Sequence, residues 1–425
     1  EGGGMRWLGR FRAAQFFALL LAVVVAHRIY FAATVSHNPL AIDNEAEHGS
    51  DLPQQSHAQT QARPHLHVHV SSHAFRSASH TADVPESELD PLISPFPLVD
   101  VELGAGTQLD EAFLTNHRYL MEILDADKLL ANFYVTAGLM PRKDPYCAAG
   151  TQFSWQNAPG WCWEAPDSEL RGHFVGHYLS ALAFTWAAHR DPSAREAVAE
   201  RAGYAVAEMA AVQEHSKTGG GWLSAFPIDA LDMLHNEGKG WAPYYTLHKI
   251  LAGLVDQYEI LGNRGALDVA VKLAKCILSK VAAFVAARGK QHWFDVVVDF
   301  KHTHFAGETG GMNDVSYRLF RITGDADLWR LGELFDHPAF LRAMAARVDV
   351  LTDIHVNYHL PVAVGAATKY HVIHGRDHGH VHPHEPPASP HPDWAPLEAA
   401  AGAFETVVGT RMFATGGTGS REHWH

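Results

Sequence analysis

Tyr244, Leu247, Leu251, Leu254, Tyr258 and Leu261 recur at alternating steps of three and four. That spacing lines side chains along one face of an α-helix. Pro243 stands where a first helical turn tolerates a missing N–H, and Gly262-Asn263 supplies the stop. His248 lies one turn from both Tyr244 and Leu251, beside the apolar stripe. Trp241–Asn263 therefore reads as a core helix with a polar group near one buried end. The same helix exit is met again along the chain. WAAHRDPSAREAV, YEILGNRGALDVA and YRLFRITGDADLWRL each run helix, short polar turn, helix. YHVIHGRD begins a fourth, whose second helix is delayed by a His/Pro-rich insert at 374–394. Hairpins recurring in this way predict stacked helical pairs, forming an open solenoid or closing into an α/α toroid. Long aromatic loops before the inner helices favour a closed barrel with a binding mouth. The expected fold class is all-α.

Thr107–Leu130, Glu196–Gln213 and Leu267–Ala287 are helical in pattern, and Met312–Thr323 pairs with Leu328–Phe335. Leu170–Asp191 is amphipathic, with Phe174, Tyr178, Leu182 and Trp186 at steps of four. FDVVVDF, within 291–305, is the one strand-like stretch.

With 425 residues, the chain is long enough to bury a substantial core. The formal charge of −14, with no block of Lys or Arg, argues against nucleic acid as a partner. Arg6, Arg10 and Arg12 precede the apolar run Phe16–Ala26, the pattern of a secretory signal. Apolar residues resume at Ile29–Val35, so a signal anchor competes with a cleaved peptide. Either way the expected destination is the secretory lumen or the exterior, with contact to a membrane only through that anchor. Residues 37–90 are rich in His, Ser, Gln, Ala and Pro and read as a disordered linker, and the folded domain is expected over 98–425. Much of the His total of 31 falls in this linker and in the later insert, so the count is no functional signal by itself. Cys147 and Cys162 bracket a Gly/Pro/Trp-rich loop and are a candidate lumenal disulfide or two loop thiols. Cys276 lies on an apolar helical face, where a buried inert thiol is expected.

His173 and His177 stand at i and i+4 on one helix, a spacing shared with zinc-binding helices. Phe174 occupies the slot of the general-base glutamate in H-E-x-x-H. Packed core histidines, hydrogen bonding to a substrate from a pocket wall, and a metal site all remain open for the pair. Trp161, Trp163, Trp222 and Trp241 fall in loops before helices, where an indole serves either as a sugar-stacking face or as core packing. In HVNYHLP, an extended backbone would aim His355, Asn357 and His359 to one side, a set of neutral hydrogen-bonders suited to a polyhydroxyl ligand. The Gly-rich FATGGTGSREHW presents Glu422 beside Trp424. A carboxyl near an indole in an apolar pocket has a raised pKa, as a general acid requires, whereas a surface turn would leave it ordinary.

Six blocks carry a resemblance over 164–424: EAPDSELRGHFVGHYLSA, GGWLSAFP, WAPYYTLHKILAGLVDQYEILGN, GETGGMNDVSYRLFRITGD, HVNYHLPVAVGAA and FATGGTGSREHW. In this order they resemble glycoside hydrolase family 127, the β-L-arabinofuranosidase-type enzymes, and the plant-like secreted members most. The resemblance implies an (α/α)6-barrel catalytic domain followed by β-sandwich domains, and retaining hydrolysis of L-arabinofuranosides in glycans or glycoproteins. It places the acid/base on Glu422, preceded here by Arg421 where the family usually has Gly. His173, His177, Trp241, His248, Asn313, His355, Asn357 and His359 sit in or beside the matching blocks and are the substrate-binding candidates. The resemblance also implies zinc and a cysteine nucleophile held by further cysteines and a glutamate downstream of the TGG turn. Cys147, Cys162 and Cys276 lie outside the corresponding blocks, so the zinc ligands have no counterpart in this chain. The barrel is accordingly expected to be incomplete at its C-terminal end, and a non-catalytic carbohydrate-binding barrel is the alternative.

Overall fold

The computed structural model describes residues 97–148, 162–216, 221–237, 240–298, 308–374, 376–377, 380–381, 384 and 395–424. The expected leader, the linker, Trp161 and most of the His/Pro-rich insert lie outside the described residues. So does the side chain of Cys162, and with it the candidate pairing to Cys147. Among the described residues no helix is long and apolar enough to cross a membrane.

Thirteen helices make up the described chain: α1 Gln108–Arg118, α2 Ala126–Ala137, α3 His173–Ala188, α4 Pro192–Glu214, α5 Asp229–Glu237, α6 Pro243–Leu261, α7 Arg264–Arg288, α8 Lys290–Trp293, α9 Met312–Thr323, α10 Ala326–Leu334, α11 Pro338–Ala345, α12 Val356–His374 and α13 Pro396–Thr406. The only sheets among them are the two-residue ladders β1 Arg376–Asp377 with β2 His380–Val381, and β3 Gly419–Ser420 with β4 His423–Trp424. The polar turns that recur in the sequence are helix caps. Asp191, Asn263 and Asp325 each accept a backbone N–H from the first turn of α4, α7 and α10. Gly262 and Gly324 end α6 and α9 at φ of 72° and 70°, a left-handed conformation that glycine adopts without steric cost. Each hairpin is thereby closed locally, before any tertiary contact forms.

The hairpins stack in sequence order. The inner helices α3, α6, α9 and α12 pack each on the next, and α4, α7 and α10 lie behind them in an outer layer. This is the two-layered wall of an α/α barrel. The tightest crossing joins α3 to α6, where Gly176 and Gly253 let the two backbones meet. A single apolar core runs from Leu120 to Val372 between the layers, including Leu179, Leu182, Leu251, Leu254, Leu273 and Ile277. A second cluster joins α11, the middle of α12, α13 and Trp424.

Two buried polar networks bind neighbouring inner helices. Arg318 of α9 pairs with Asp256 at 2.7 Å and with Glu259 of α6, while Ser180 of α3 donates to Asp256 at 2.6 Å. Asp336 accepts from Tyr317 at 2.6 Å and pairs with Lys369 of α12 at 2.7 Å. Removing one partner from either network would leave a charge buried without compensation.

Two local readings are corrected by tertiary packing. FDVVVDF is helical rather than strand as far as described: Phe294–Val298 continues α8 as a π turn, with Val297 and Val298 buried. A short apolar run carries no helix-or-strand signal of its own. Here Trp293, whose indole N–H donates to Leu334 O at 2.6 Å, fixes the local direction. HVNYHLP is likewise the start of α12 and not an extended segment, even with Pro361 inside the helix. The following VAVGAA packs between α9 and α13, and that burial outweighs the hydrogen bond lost at Pro361.

Candidate active site

The N-terminal ends of α3, α6, α9 and α12 meet at one end of the wall. Glu164 anchors the first of them. Its carboxylate is buried, accepts the N–H groups of Gly172 at 2.6 Å and Phe174 at 3.1 Å, and stands 3.4 Å from His173 Nδ1. His173 Nδ1 donates to Leu170 O at 2.7 Å. Trp163 lies beside this ring at 5.5 Å between centroids, with His177 at 5.9 Å and Tyr245 at 6.3 Å. Trp222, by contrast, is a core residue whose indole donates to Phe226 O.

On α6, Tyr245, His248 and Lys249 complete one wall. The His248 ring is seated on Gly310 and Gly311, where a Cβ would stand 2.4 Å from Nδ1 and 2.9 Å from Nε2. Burial, with Lys249 close by, pushes His177 and His248 well below the ordinary histidine range, so both rings are neutral at pH 7. His177 keeps some accessible surface while enclosed by protein, as a side chain on a cavity wall does. The Lys249 ammonium rests 4.8 Å over the Tyr245 ring, and burial draws its pKa down to about 8.

Glu308, just before α9, joins these helices. Its Oε2 accepts from Trp241 Nε1 at 3.1 Å and its Oε1 from Asn357 Nδ2 at 2.9 Å. Burial raises its pKa, against the opposing pull of Asn357, His355, Trp241 and His173. Four helix N-termini converge here, and their partial positive charge suits a site that carries carboxylates.

Glu422 stands at the tip of the β3–β4 hairpin. Arg421 and Glu422 form its two-residue loop with φ of 50° and 71°. A tight hairpin loop favours this left-handed conformation, but neither residue is a glycine, so each is strained by ~1 kcal/mol or more. The hairpin is tied to the start of α12: Val356 N–H donates to Glu422 O at 2.8 Å, and Trp424 N–H donates to Ile354 O at 2.9 Å. His355 Nε2 meets Glu422 Oε2 at 3.1 Å. The carboxyl is half-exposed, and the bond to His355 holds its pKa below the ordinary glutamate value. The apolar, pKa-raising pocket anticipated from Trp424 is therefore not what surrounds Glu422. Strand alternation turns Trp424 the other way, into the second core cluster.

The structure thus brings His173, His177, Trp241, His248, His355, Asn357 and Glu422 to one end of the barrel, and separates two other candidates from them. Asn313 is fully buried between α9 and α12. Its Nδ2 donates to Val362 O at 3.1 Å, and Gly365 leaves it no room to turn. His359 faces Phe340, 4.3 Å between ring centroids, and His337. In a helix, positions two apart are nearly opposite, so Asn357 and His359 diverge where an extended chain would have aligned them. Glu308, Tyr245, Lys249 and Glu164 escaped sequence reasoning. Their one signal was membership of the matching blocks: Glu164 opens EAPDSELRGHFVGHYLSA, Tyr245 and Lys249 lie in WAPYYTLHK, and Glu308 is the second residue of GETGGMND.

The zinc-thiolate centre implied by resemblance does not fit the side chains described. Among them no group of three or more His, Cys, Asp or Glu is placed to hold a metal ion. Cys147 packs with Ala165 and Tyr146, and Cys276 lies on the outer helix α7 beside Gly221. A surface cleft of 370 Å³ lined by Met121–Lys128, Lys143, Tyr146, Arg201 and Tyr204 shares no residue with the cluster around Glu308.

An all-α barrel that gathers aromatic edges, neutral histidines and three carboxyls at the ends of its inner helices has the build of an α/α-barrel glycoside hydrolase. Residues 100–425 match the GH127 catalytic domain described as beta-L-arabinofuranosidase, and the chain belongs to that family. It is a glycosidase of the arabinofuranosidase type by that membership. No curated relative matches it.

Proposed function

We propose that this protein hydrolyses terminal L-arabinofuranosyl linkages in arabinose-containing glycans or glycoproteins with retention of configuration, Glu422 serving as acid/base. The observation that carries the reading is the His355–Glu422 contact, 3.1 Å, at the cavity end where Glu308, Asn357 and Trp241 converge. In the open site the bond to His355 keeps Glu422 ionised. A bound glycan displaces water from the half-exposed carboxyl, which raises its proton affinity and readies it to protonate the glycosidic oxygen. Retention also needs a nucleophile on the opposite face, which bonds the anomeric carbon as the glycosidic bond breaks. The resemblance gives that role to a cysteine downstream of the TGG turn, and Glu422, once deprotonated, takes a proton from the water that then displaces it. Neutral His177 and His248 present hydrogen-bonding groups to sugar hydroxyls without adding charge. No step is assigned to zinc, because the residues described do not assemble a site for it. Delivery to the secretory lumen or exterior, by a cleaved leader or a type II anchor, is part of the proposal and rests on the basic-then-apolar pattern of residues 5–35.

The test is turnover of a 4-nitrophenyl β-L-arabinofuranoside by the whole protein and by Glu422→Gln, with NMR of the first-formed anomer. Loss of turnover by at least 100-fold in the variant and a retained anomer support the reading. Saturable arabinofuranoside binding without turnover refutes hydrolysis and leaves a carbohydrate-binding barrel.

A further inference from the structure

Acid/base chemistry at Glu422 leaves another carboxyl at the same end of the barrel, Glu308, without a task. Glu308 is only 6% exposed. A carboxylate offers about four lone-pair positions. In Glu308 one per oxygen is used, by Trp241 Nε1 on Oε2 and Asn357 Nδ2 on Oε1. Among the described residues no further hydrogen bond reaches it, so each oxygen keeps an acceptor position. Asn357 Oδ1 is buried beside the Tyr245 hydroxyl. Acceptor positions left open on a buried carboxylate call for a ligand that brings donors. A pair of neighbouring hydroxyl groups does so, and its spacing matches the two oxygens of one carboxylate. Lys249 on the facing helix is near enough for Glu308 to raise its proton affinity against the effect of burial.

We propose that Glu308 is a specificity-determining residue that grips two adjacent hydroxyls of the terminal sugar, so that the site takes furanosyl ends whose vicinal diol is unsubstituted. Trp241 and Asn357 hold the carboxylate in position. The proposal rests on the glycosidase reading and names the substrate class of that site.

The experiment compares 4-nitrophenyl β-L-arabinofuranoside with its 2-O-methyl and 3-O-methyl ethers, in the whole protein and in Glu308→Gln. Binding of L-arabinose is titrated in parallel by tryptophan fluorescence. The amide of Glu308→Gln turns an N–H toward an N–H donor and loses one acceptor. The expected result is a wild type that prefers the free diol by tenfold or more in kcat/KM. Glu308→Gln then raises KM at least tenfold, changes kcat less, and erases most of the discrimination. An unchanged KM, or discrimination that survives in the variant, overturns the proposal. If Glu308→Gln does not fold, Trp241→Phe, which frees Oε2, is read in the same way: a raised KM and weaker discrimination support the proposal, and no change in either overturns it. A wild type that binds arabinose without turnover refutes hydrolysis, while the titration still decides Glu308. A wild type that neither binds nor turns over refutes both.

Discussion

Substitution Gly176→Ala tests the contact on which the site's geometry depends. A Cβ at Gly176 would stand 1.9 Å from Lys249 O and 2.2 Å from its carbonyl carbon, atoms of the α6 backbone that cannot rotate away. Ordinary van der Waals contact begins near 3.4 Å. The α3 and α6 backbones must therefore part by about 1.5 Å, a severe case of overpacking. A gap of even 0.5–1 Å forfeits roughly a quarter to a half of the dispersion contact along the seam. Alanine returns ~1 kcal/mol through helix propensity, against an overpacking cost of ~3 kcal/mol or more. The net expectation is a loss of ~2–3 kcal/mol, or about 1 M in urea midpoint. Because His177 and Lys249 flank the contact, KM is expected to rise as well. Gly203→Ala on α4 is the control. Its Cβ meets nothing within 4 Å, so it should stabilise by up to ~1 kcal/mol. Equilibrium urea unfolding by circular dichroism reads both variants. A Gly176→Ala midpoint equal to or above wild type would refute the close-crossing argument.

Acid should weaken the fold before its carboxylates titrate. Burial holds His235 and His359 at about 4, and pushes His177, His248 and His337 well down. Each folded pKa lies below the unfolded value, so the unfolded chain binds more protons, and stability falls as pH drops from about 6.5 to about 4. His235 alone accounts for ~2 kcal/mol at pH 5, and urea midpoints at pH 7 and 5 check the sign; an equal or higher midpoint at pH 5 contradicts it. Arg421→Gly removes a side chain from a backbone position with φ of 50°. It should stabilise by ~0.5–1 kcal/mol after the entropy of glycine is subtracted, and a lower melting temperature would sink the strain argument.

Much of the site could be read from the chain, because its candidates fall where the helical period begins. His173, His177 and His248 lie on strongly periodic helices, so their faces follow from 3.6-residue spacing alone. Trp241 and Glu422 stand in turns marked by Pro and Gly. What escaped was pairing across helices. Glu308 gains its character from Trp241 and Asn357, which are 67 and 49 residues away along the chain. No local pattern reports a donor that distant. Lys249 and Tyr245 looked like ordinary helix residues until α3 and α9 closed over them.

Local chemistry along the chain determined the helices, the order of hairpins and their stops. Asp191, Asn263 and Asp325 cap and Gly262 and Gly324 terminate through bonds that span a few residues. Tertiary structure decided whether short or mixed segments became helix or strand. Phe294–Val298 and Val356–Pro361 are helical because burying Trp293, Val298 and Val362–Ala367 outweighs weak local preference. It also decided protonation, the property on which chemistry turns. Trp424 beside Glu422 in sequence faces the core, while His355, 67 residues distant, holds the carboxyl ionised. A pKa depends on what surrounds a group in space, and folding alone brings those surroundings together.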